Sequence, residues 1–185
     1  MPDDGPIKLG GGCVVYKWVI ACWLGLGCLG AALSQPATHS WQLHLPGLSY
    51  HFDSPEQAGK SWNQFHDGLG LQHTRVQGKQ VRRLTAGFMR DSFNKQGLYL
   101  GAAFGWRLLD GAYRADVSAA PMLLYRAVKF DTSDRKLIPI VLPMLSLEHR
   151  ATGLGANITV LPGGNLGKEL KFPGLIYFQL TLTLR

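Results

Sequence analysis

The sequence predicts an eight-stranded antiparallel transmembrane β-barrel, and three features of the chain favour this fold class. An N-terminal segment has the organisation of an export signal. Apolar and polar residues then alternate along one stretch after another, which is the pattern of β-strands. The connections between these stretches are mostly long at one end of the barrel and short at the other, as in bacterial outer-membrane barrels.

The N-terminal segment, residues 1–34, predicts a secretory signal peptide. Lys8 and Lys17 precede an uncharged run over residues 18–33, and small residues close the segment. This run is shorter than the about 20 residues that a membrane-spanning helix needs. We expect cleavage after Ser34, with Ala32 and Ala37 as the alternatives. All three cysteines lie before that point, so residues 35–185 are predicted to form one domain without disulfides.

The basic charge of the chain points to its surroundings. The formal net charge of +7 belongs wholly to residues 35–185, because the acidic and basic residues before them cancel. A basic surface suits nucleic acid or anionic lipid, and an exported protein meets lipid. We therefore expect a membrane partner and no nucleic acid.

Alternation is clearest in the last segment, residues 175–185. Ile176, Phe178 and Leu180 fall on one face of this segment, and Gln179 and Thr181 on the other. A soluble sandwich has the same alternation with its apolar face inward, so this segment alone does not separate the two folds. The other predicted strands are residues 43–53, 68–76, 82–93, 98–108, 113–125, 137–147 and 154–160. An even number of strands of this length can close a barrel without a free edge in lipid.

The connections between predicted strands support the barrel. The long polar connections, expected to face outward, are residues 54–67, 126–136 and 163–173. The short connections are residues 77–81, 110–111 and 148–152, and one outward connection at 94–96 is also tight.

Three residues at the predicted outer rim could perform chemistry. His51 ends the first strand, and Asp91 and Ser92 end the third, with one strand between them. A histidine can take a proton from a hydroxyl, and a carboxylate can orient the imidazole. Polar residues are also ordinary at barrel rims, and Asp-Ser is typical of a turn. The chain has no HExxH, CxxC, GxSxG or phosphate-binding glycine motif, so no metal or other cofactor is expected.

The same segments resemble one known family. Arg90-Asp91-Ser92-Phe93-Asn94-Lys95 is similar to the Lys-Asp-Ser-Trp-Asn-Lys motif of the lipid A palmitoyltransferase (PagP) family. Further similarity lies in residues 45–51, 101–106, 138–143 and 160–163, so it runs in pieces from about Leu45 to the C-terminus. We expect the family's N-terminal amphipathic helix to be short or absent in this chain.

The resemblance implies an activity and its residues. It implies transfer of a palmitoyl chain from a phospholipid to a hydroxyl of lipid A, in the outer leaflet of the outer membrane, by a monomer. His51 would act as the base, Asp91 would polarise it, and Ser92 would assist at the reacting carbonyl. Gly105 matches the glycine that measures the acyl chain, and it would leave the floor of an interior pocket open.

The resemblance also implies how lipid is bound and admitted. Arg126 matches a basic position on an outer loop that could meet a lipid phosphate. Pro46, Pro143 and Pro162 match prolines that interrupt strand pairing, so that a lipid tail can enter sideways. A fourth such proline, expected near residues 66–67, is absent.

Other functions remain open at this point. The same residues with water as acceptor would make a lipid deacylase or hydrolase. A small non-catalytic surface barrel, or a soluble periplasmic lipid carrier, would need none of them.

Overall fold

The structure of the chain is a computed structural model, which describes residues 36–55, 59–130, 134–166 and 170–184. For residues 165–166 and 170–172 it describes the backbone alone. A compact unit spans Pro36–Arg185. The predicted signal peptide, residues 1–34, lies outside the described residues, as does any helix before β1.

Eight antiparallel strands close into a barrel, which confirms the predicted fold class. The barrel strands are β1 (Thr38–His51), β3 (Gly68–Gln77), β4 (Gln80–Arg90), β5 (Gln96–Asp110), β6 (Tyr113–Ala127), β7 (Arg135–His149), β8 (Leu154–Leu161) and β11 (Leu175–Leu184). The first and last of them pair antiparallel, which closes the sheet. A short extra strand, β2 (Phe65–His66), also pairs with β1, and β9 (Gly164–Leu166) pairs with β10 (Leu170–Phe172) in a separate ribbon.

The two ends of the barrel differ as predicted. We call the end with the longer connections the outer rim and the opposite end the inner end. At the inner end β3 and β4 meet in a tight turn, in which Gly78 has a φ of 59°. The outer connection after β6 is shorter than predicted, because β6 runs to Ala127 and β7 begins at Arg135. The tight turn after β4 is present, and Asn94 adopts a φ of 62° there.

The two faces of the strands separate a membrane barrel from a soluble sandwich. In β11, Leu180 points outward and is 59% exposed, whereas Gln179 and Thr181 point inward and are buried. The other barrel strands also expose apolar side chains: Leu48, Leu69, Leu84, Leu100, Val117, Leu145 and Leu154. An apolar outside around a polar inside is the arrangement that a lipid bilayer requires. The fold is therefore compatible with an outer-membrane protein.

Helices give a separate result. No helix in the described part of the chain is long and apolar enough to cross a membrane.

A charge on the outward face should destabilise the barrel according to its depth. Leu180 lies in the middle of β11 and Leu184 at its inner end, and both side chains are exposed. We expect Leu180→Arg to lower the free energy of unfolding in phospholipid vesicles by about 2–4 kcal/mol, because the charge enters hydrocarbon. The matched variant Leu184→Arg should cost about 0–1 kcal/mol. Equal costs in denaturant titrations would contradict the membrane orientation of this face.

Candidate active site

The structure brings His51 and Ser92 together at the outer rim. His51 is the last residue of β1, and Ser92 lies in the turn that follows β4. The hydroxyl of Ser92 lies 3.0 Å from Nε2 of His51, and both side chains are buried. A hydroxyl within hydrogen-bond distance of an imidazole is the arrangement of a nucleophile or acceptor with its base.

Asp91 lies beside this pair, and its carboxylate accepts backbone hydrogen bonds. Its Oδ1 accepts the backbone N–H groups of Phe93 and Lys95, each at 2.9 Å, and its Oδ2 accepts that of Ala127 at 3.0 Å. None of these bonds joins the carboxylate to the His51 ring, so Asp91 does not orient the ring by direct contact, and its polarising role stays a prediction. The carboxylate instead joins the end of β6 to the turn that contains Ser92, because buried backbone donors need acceptors.

The second nitrogen of His51 faces Ser49. Nδ1 of His51 lies 3.5 Å from Oγ of Ser49, and that oxygen lies 2.7 Å from Nε2 of His66. Nδ1 of His66 in turn donates to the backbone carbonyl of Arg90 at 2.6 Å. Sequence reasoning missed Ser49 and His66. The two-residue spacing of Ser49 and His51 on one strand was the signal that could have found the first of them.

Burial affects the charge state of His66. Its strand, β2, is not one of the eight barrel strands. Loss of hydration lowers the pKa of His66 below its ordinary value, more than its bond to Arg90 and the nearby carboxylates raise it. The ring of His66 is therefore neutral at pH 7.

Aromatic side chains cover the rim next to the pair. The ring of Trp62 stacks on that of His51, with centroids 5.1 Å apart and an interplanar angle of 16°. Phe93 and Phe130 pack against Trp62. The segment that carries Trp62 is tied to the turn below, because the N–H of Asn63 donates to the carbonyl of Ser92 at 2.9 Å. The cover limits access of water to the imidazole.

Arg126 lies in a different place from the one expected. It belongs to β6 rather than to an outer loop, and its side chain lines the interior cavity. The guanidinium carbon lies 5.5 Å from the ring centroid of Phe93, and the charge is within electrostatic range of Asp91. In the described ranges, no hydrogen bond or ion pair joins the guanidinium of Arg126 to another residue. Its donors are thus available to an anionic group in the cavity mouth.

A cavity of about 120 Å³ extends inward from Ser92 through the barrel. One side of its wall, along β5, β6 and β7, is small or apolar. The residues of that side are Ala102, Ala103, Ala120, Met122, Leu124, Leu142 and Met144. A cavity of this kind suits an alkyl chain better than a polar ligand.

Gly105 does not have the expected role. It does not line the cavity, whereas Ala102 and Ala103 of the same strand, β5, do. A Cβ at Gly105 would meet the backbone of β6 at Val117 and Ser118 instead of open space. The expectation that this glycine keeps the pocket floor open is therefore wrong. It allows two strands to approach closely.

The three prolines expected at lipid entry points lie where strand pairing is interrupted. Pro46 lies where the register between β1 and β11 shifts and where β1 changes its partner from β3 to β2. Pairing of β7 with β8 begins at Met144, so Pro143 and the outer part of β7 have no partner in that strand. Pro162 directly follows the end of β8. Pro121, which sequence reasoning did not single out, lies in a similar gap between β5 and β6.

Charged residues close the barrel below the cavity. Asp116 forms ion pairs with Arg83 and, at 2.9 Å, with Arg107. Glu148 pairs with Arg114 at 3.1 Å. In the described ranges, no group of three or more metal-ligating side chains is close enough together to hold a metal ion. The ion-paired side chains of Asp116 and Glu148 with their arginines form a polar plug that bounds the cavity at this end.

The fold and site define a class of protein, a transmembrane-compatible β-barrel with an imidazole–hydroxyl pair at the mouth of an interior cavity. Comparison with known proteins does not narrow this class. No protein-family model matches the chain. No curated protein matches it either.

The plug should depend on the carboxylate of Asp116. Asp116→Asn leaves the buried Arg83 without its ion-pair partner and removes one of the two partners of Arg107, so we expect a loss of about 3–5 kcal/mol in the free energy of unfolding. The matched variant Asp110→Asn removes a half-exposed partner of Arg107 and should cost less than about 1 kcal/mol. Denaturant titration in detergent micelles measures both. A small loss for Asp116→Asn would mean that water enters the plug.

Proposed function

We propose that this chain is an outer-membrane acyltransferase that moves a palmitoyl chain from a phospholipid to a hydroxyl of lipid A. The observation that carries the proposal is the 3.0 Å contact between His51 and Ser92 at the mouth of an apolar cavity. The resemblance of residues 90–95 to the lipid A palmitoyltransferase motif supports the choice of substrates.

The interior supports an acyl chain as the transferred group. The small and apolar wall of the cavity leads directly to Ser92, so a chain lying in the cavity would present its ester carbonyl at the rim. Burial of the chain contributes about 0.8 kcal/mol for each methylene. Arg126 at the same mouth offers donors to the phosphate of the donor lipid.

The reaction needs one base and one hydrogen-bond donor. Nε2 of His51 takes the proton of the acceptor hydroxyl, whose oxygen attacks the ester carbonyl carbon of the phospholipid. The bond from that carbon to the glycerol oxygen breaks, and the departing oxygen takes the proton back from His51. Ser92 turns its hydroxyl to the carbonyl oxygen, where negative charge develops. The products are acylated lipid A and a lysophospholipid.

The gaps in strand pairing support entry from the membrane. Pro46 interrupts one junction, and the outer part of β7 lacks a partner in β8 near Pro143 and Pro162. A lipid tail can pass sideways where no backbone hydrogen bonds join neighbouring strands. Phospholipid and lipid A would then reach His51 without leaving the bilayer.

The decisive test is mass spectrometry of lipid A from cells that express the protein. The wild type should add one palmitoyl-sized chain. His51→Ala and Ser92→Ala should lower that addition by about 10²- to 10⁴-fold, because the base or the donor at the carbonyl is lost. Ser118→Ala is the matched control, since this buried serine lies outside the cavity wall, and it should retain activity within about twofold.

The other outcomes separate the alternatives. Loss of a chain from lipid A would indicate a deacylase that uses water as acceptor. No change with correctly inserted wild-type protein would indicate a non-catalytic barrel. A palmitoyl group on Ser92 in the intact protein mass would make Ser92 the nucleophile.

The length of the transferred chain should depend on Ala120. Its side chain is buried and lines the cavity, whereas the neighbouring Ala119 points outward. Because leucine adds three carbons, Ala120→Leu should shift the preferred chain to one about two or three methylenes shorter. Ala119→Leu should leave the preference unchanged. Lipid A mass spectra give the chain lengths, and an unchanged chain in Ala120→Leu would place the alkyl group elsewhere.

A further inference from the structure

Four hydrogen bonds connect the reacting rim to the backbone of β4. They run from Ser92 to His51 at 3.0 Å, from His51 to Ser49 at 3.5 Å, from Ser49 to His66 at 2.7 Å, and from His66 to the carbonyl of Arg90 at 2.6 Å. All four side chains are buried, with exposed fractions between 2% and 8%. Bulk water therefore cannot readily replace any member.

The carbonyl of Arg90 is the last acceptor of this series, and it determines the donor and the acceptor in each of the four hydrogen bonds. A backbone carbonyl only accepts hydrogen bonds, so Nδ1 of His66 carries the proton. In the neutral ring Nε2 of His66 is then an acceptor, and the hydroxyl of Ser49 donates to it. The oxygen of Ser49 is left to accept from Nδ1–H of His51. Nε2 of His51 consequently has its lone pair directed at the hydroxyl of Ser92.

We propose that Ser49 and His66 are positioning residues that hold His51 in the Nδ1–H tautomer, with Nε2 free to act as the base. This inference rests on the proposed function, because the tautomer matters only if His51 takes a proton. The tautomer of a histidine is set by the hydrogen bond that its other nitrogen makes. In serine hydrolases a carboxylate supplies that bond. Here the carboxylate of Asp91 is occupied by backbone N–H groups, and Ser49 takes the position.

His66 does more than accept one bond. The hydroxyl of Ser49 can rotate, and without an acceptor it could donate to Nδ1 of His51. The proton of His51 would then move to Nε2, which faces the site and could no longer accept a proton. His66 prevents this rotation because it always offers Ser49 an acceptor. Its own ring is held by Arg90 and packs against Tyr177, with centroids 5.3 Å apart.

The first measurement is the tautomer itself, read from the imidazole ¹⁵N chemical shifts of His51 in detergent micelles. Wild-type protein should show a protonated Nδ1 and an unprotonated Nε2. Ser49→Ala and His66→Phe should shift His51 toward the Nε2–H form. His66→Gln should keep the wild-type pattern, since its amide can accept from Ser49 and donate to Arg90. Comparison with His51→Asn assigns the signals.

The second measurement is turnover of a phospholipid donor with a lipid A acceptor. Ser49→Ala and His66→Phe should each lower turnover by about 10- to 100-fold, as loss of an orienting bond commonly does. The double variant should be no slower than the slower single variant, because both changes break the same series of hydrogen bonds. His66→Gln should recover turnover to within about threefold of wild type. Ser118→Ala serves again as the control, and heat-modifiable gel mobility reports folding.

The outcomes separate this inference from the proposed function. If wild-type protein transfers no acyl chain, the proposed function fails, and the ¹⁵N shifts still decide the tautomer. If the wild type is active and Ser49→Ala keeps both its turnover and the Nδ1–H pattern, the positioning role is overturned. Independent losses that multiply in the double variant, or no recovery in folded His66→Gln, would also overturn it.

Discussion

The pairing of β11 with β1 is the interaction on which the rest of the structure depends. It joins the two ends of the sheet, so that the backbone donors and acceptors of an open edge are not left facing lipid. Closure also decides which side of every strand is inside. Gln179 and Thr181 become buried and Leu180 becomes an outward-facing side chain for the same reason. It further gathers the strand ends into one rim, where His51 meets Ser92 across the intervening β3.

Closure alone does not make a cavity, because a barrel of eight strands is narrow enough for side chains to fill. The interior of this barrel is filled unevenly. Tyr99 lies over Gly70 and Gly87, where an added Cβ would meet its ring or hydroxyl, and its hydroxyl bonds to His44 at 3.0 Å. The wall around Ala120 on the adjacent strand β6 has small side chains, and the space remains there. The position of the cavity thus follows from an uneven distribution of large and small residues around the barrel.

Much of this fold could be predicted from the sequence, and the reason is physical. A strand has a period of two, so the alternation within residues 175–185 predicts which side chains share a face, whatever strand they pair with. The proximity of His51 and Ser92 also followed, because antiparallel topology places alternate strand ends on one rim. The contacts of Asp91 could not be predicted in this way, since they depend on the local geometry of a turn and on the distant Ala127. His66 was missed because it lies in a connection, and no periodic pattern predicts the path of a connection. The close approach of β6 to Gly105 was missed because the sequence of one strand does not reveal how near its neighbour lies.

The interrupted junctions would reconcile closure of the barrel with the proposed entry of lipid. In a bilayer, each gap in the sheet would expose carbonyl groups that have lost their partners, and an unsatisfied backbone group in hydrocarbon costs several kcal/mol. Proline lowers this cost because it has no N–H to leave unpaired. The carbonyl of Pro143 is itself satisfied, since the hydroxyl of Thr159 donates to it at 2.6 Å. A side chain from β8 therefore replaces the missing backbone bond at the end of the β7–β8 ladder. A side-chain hydrogen bond of this kind can break alone, whereas opening an intact ladder would break several backbone bonds together. A proline-flanked junction is therefore the least costly route for the proposed entry of a lipid tail into the barrel.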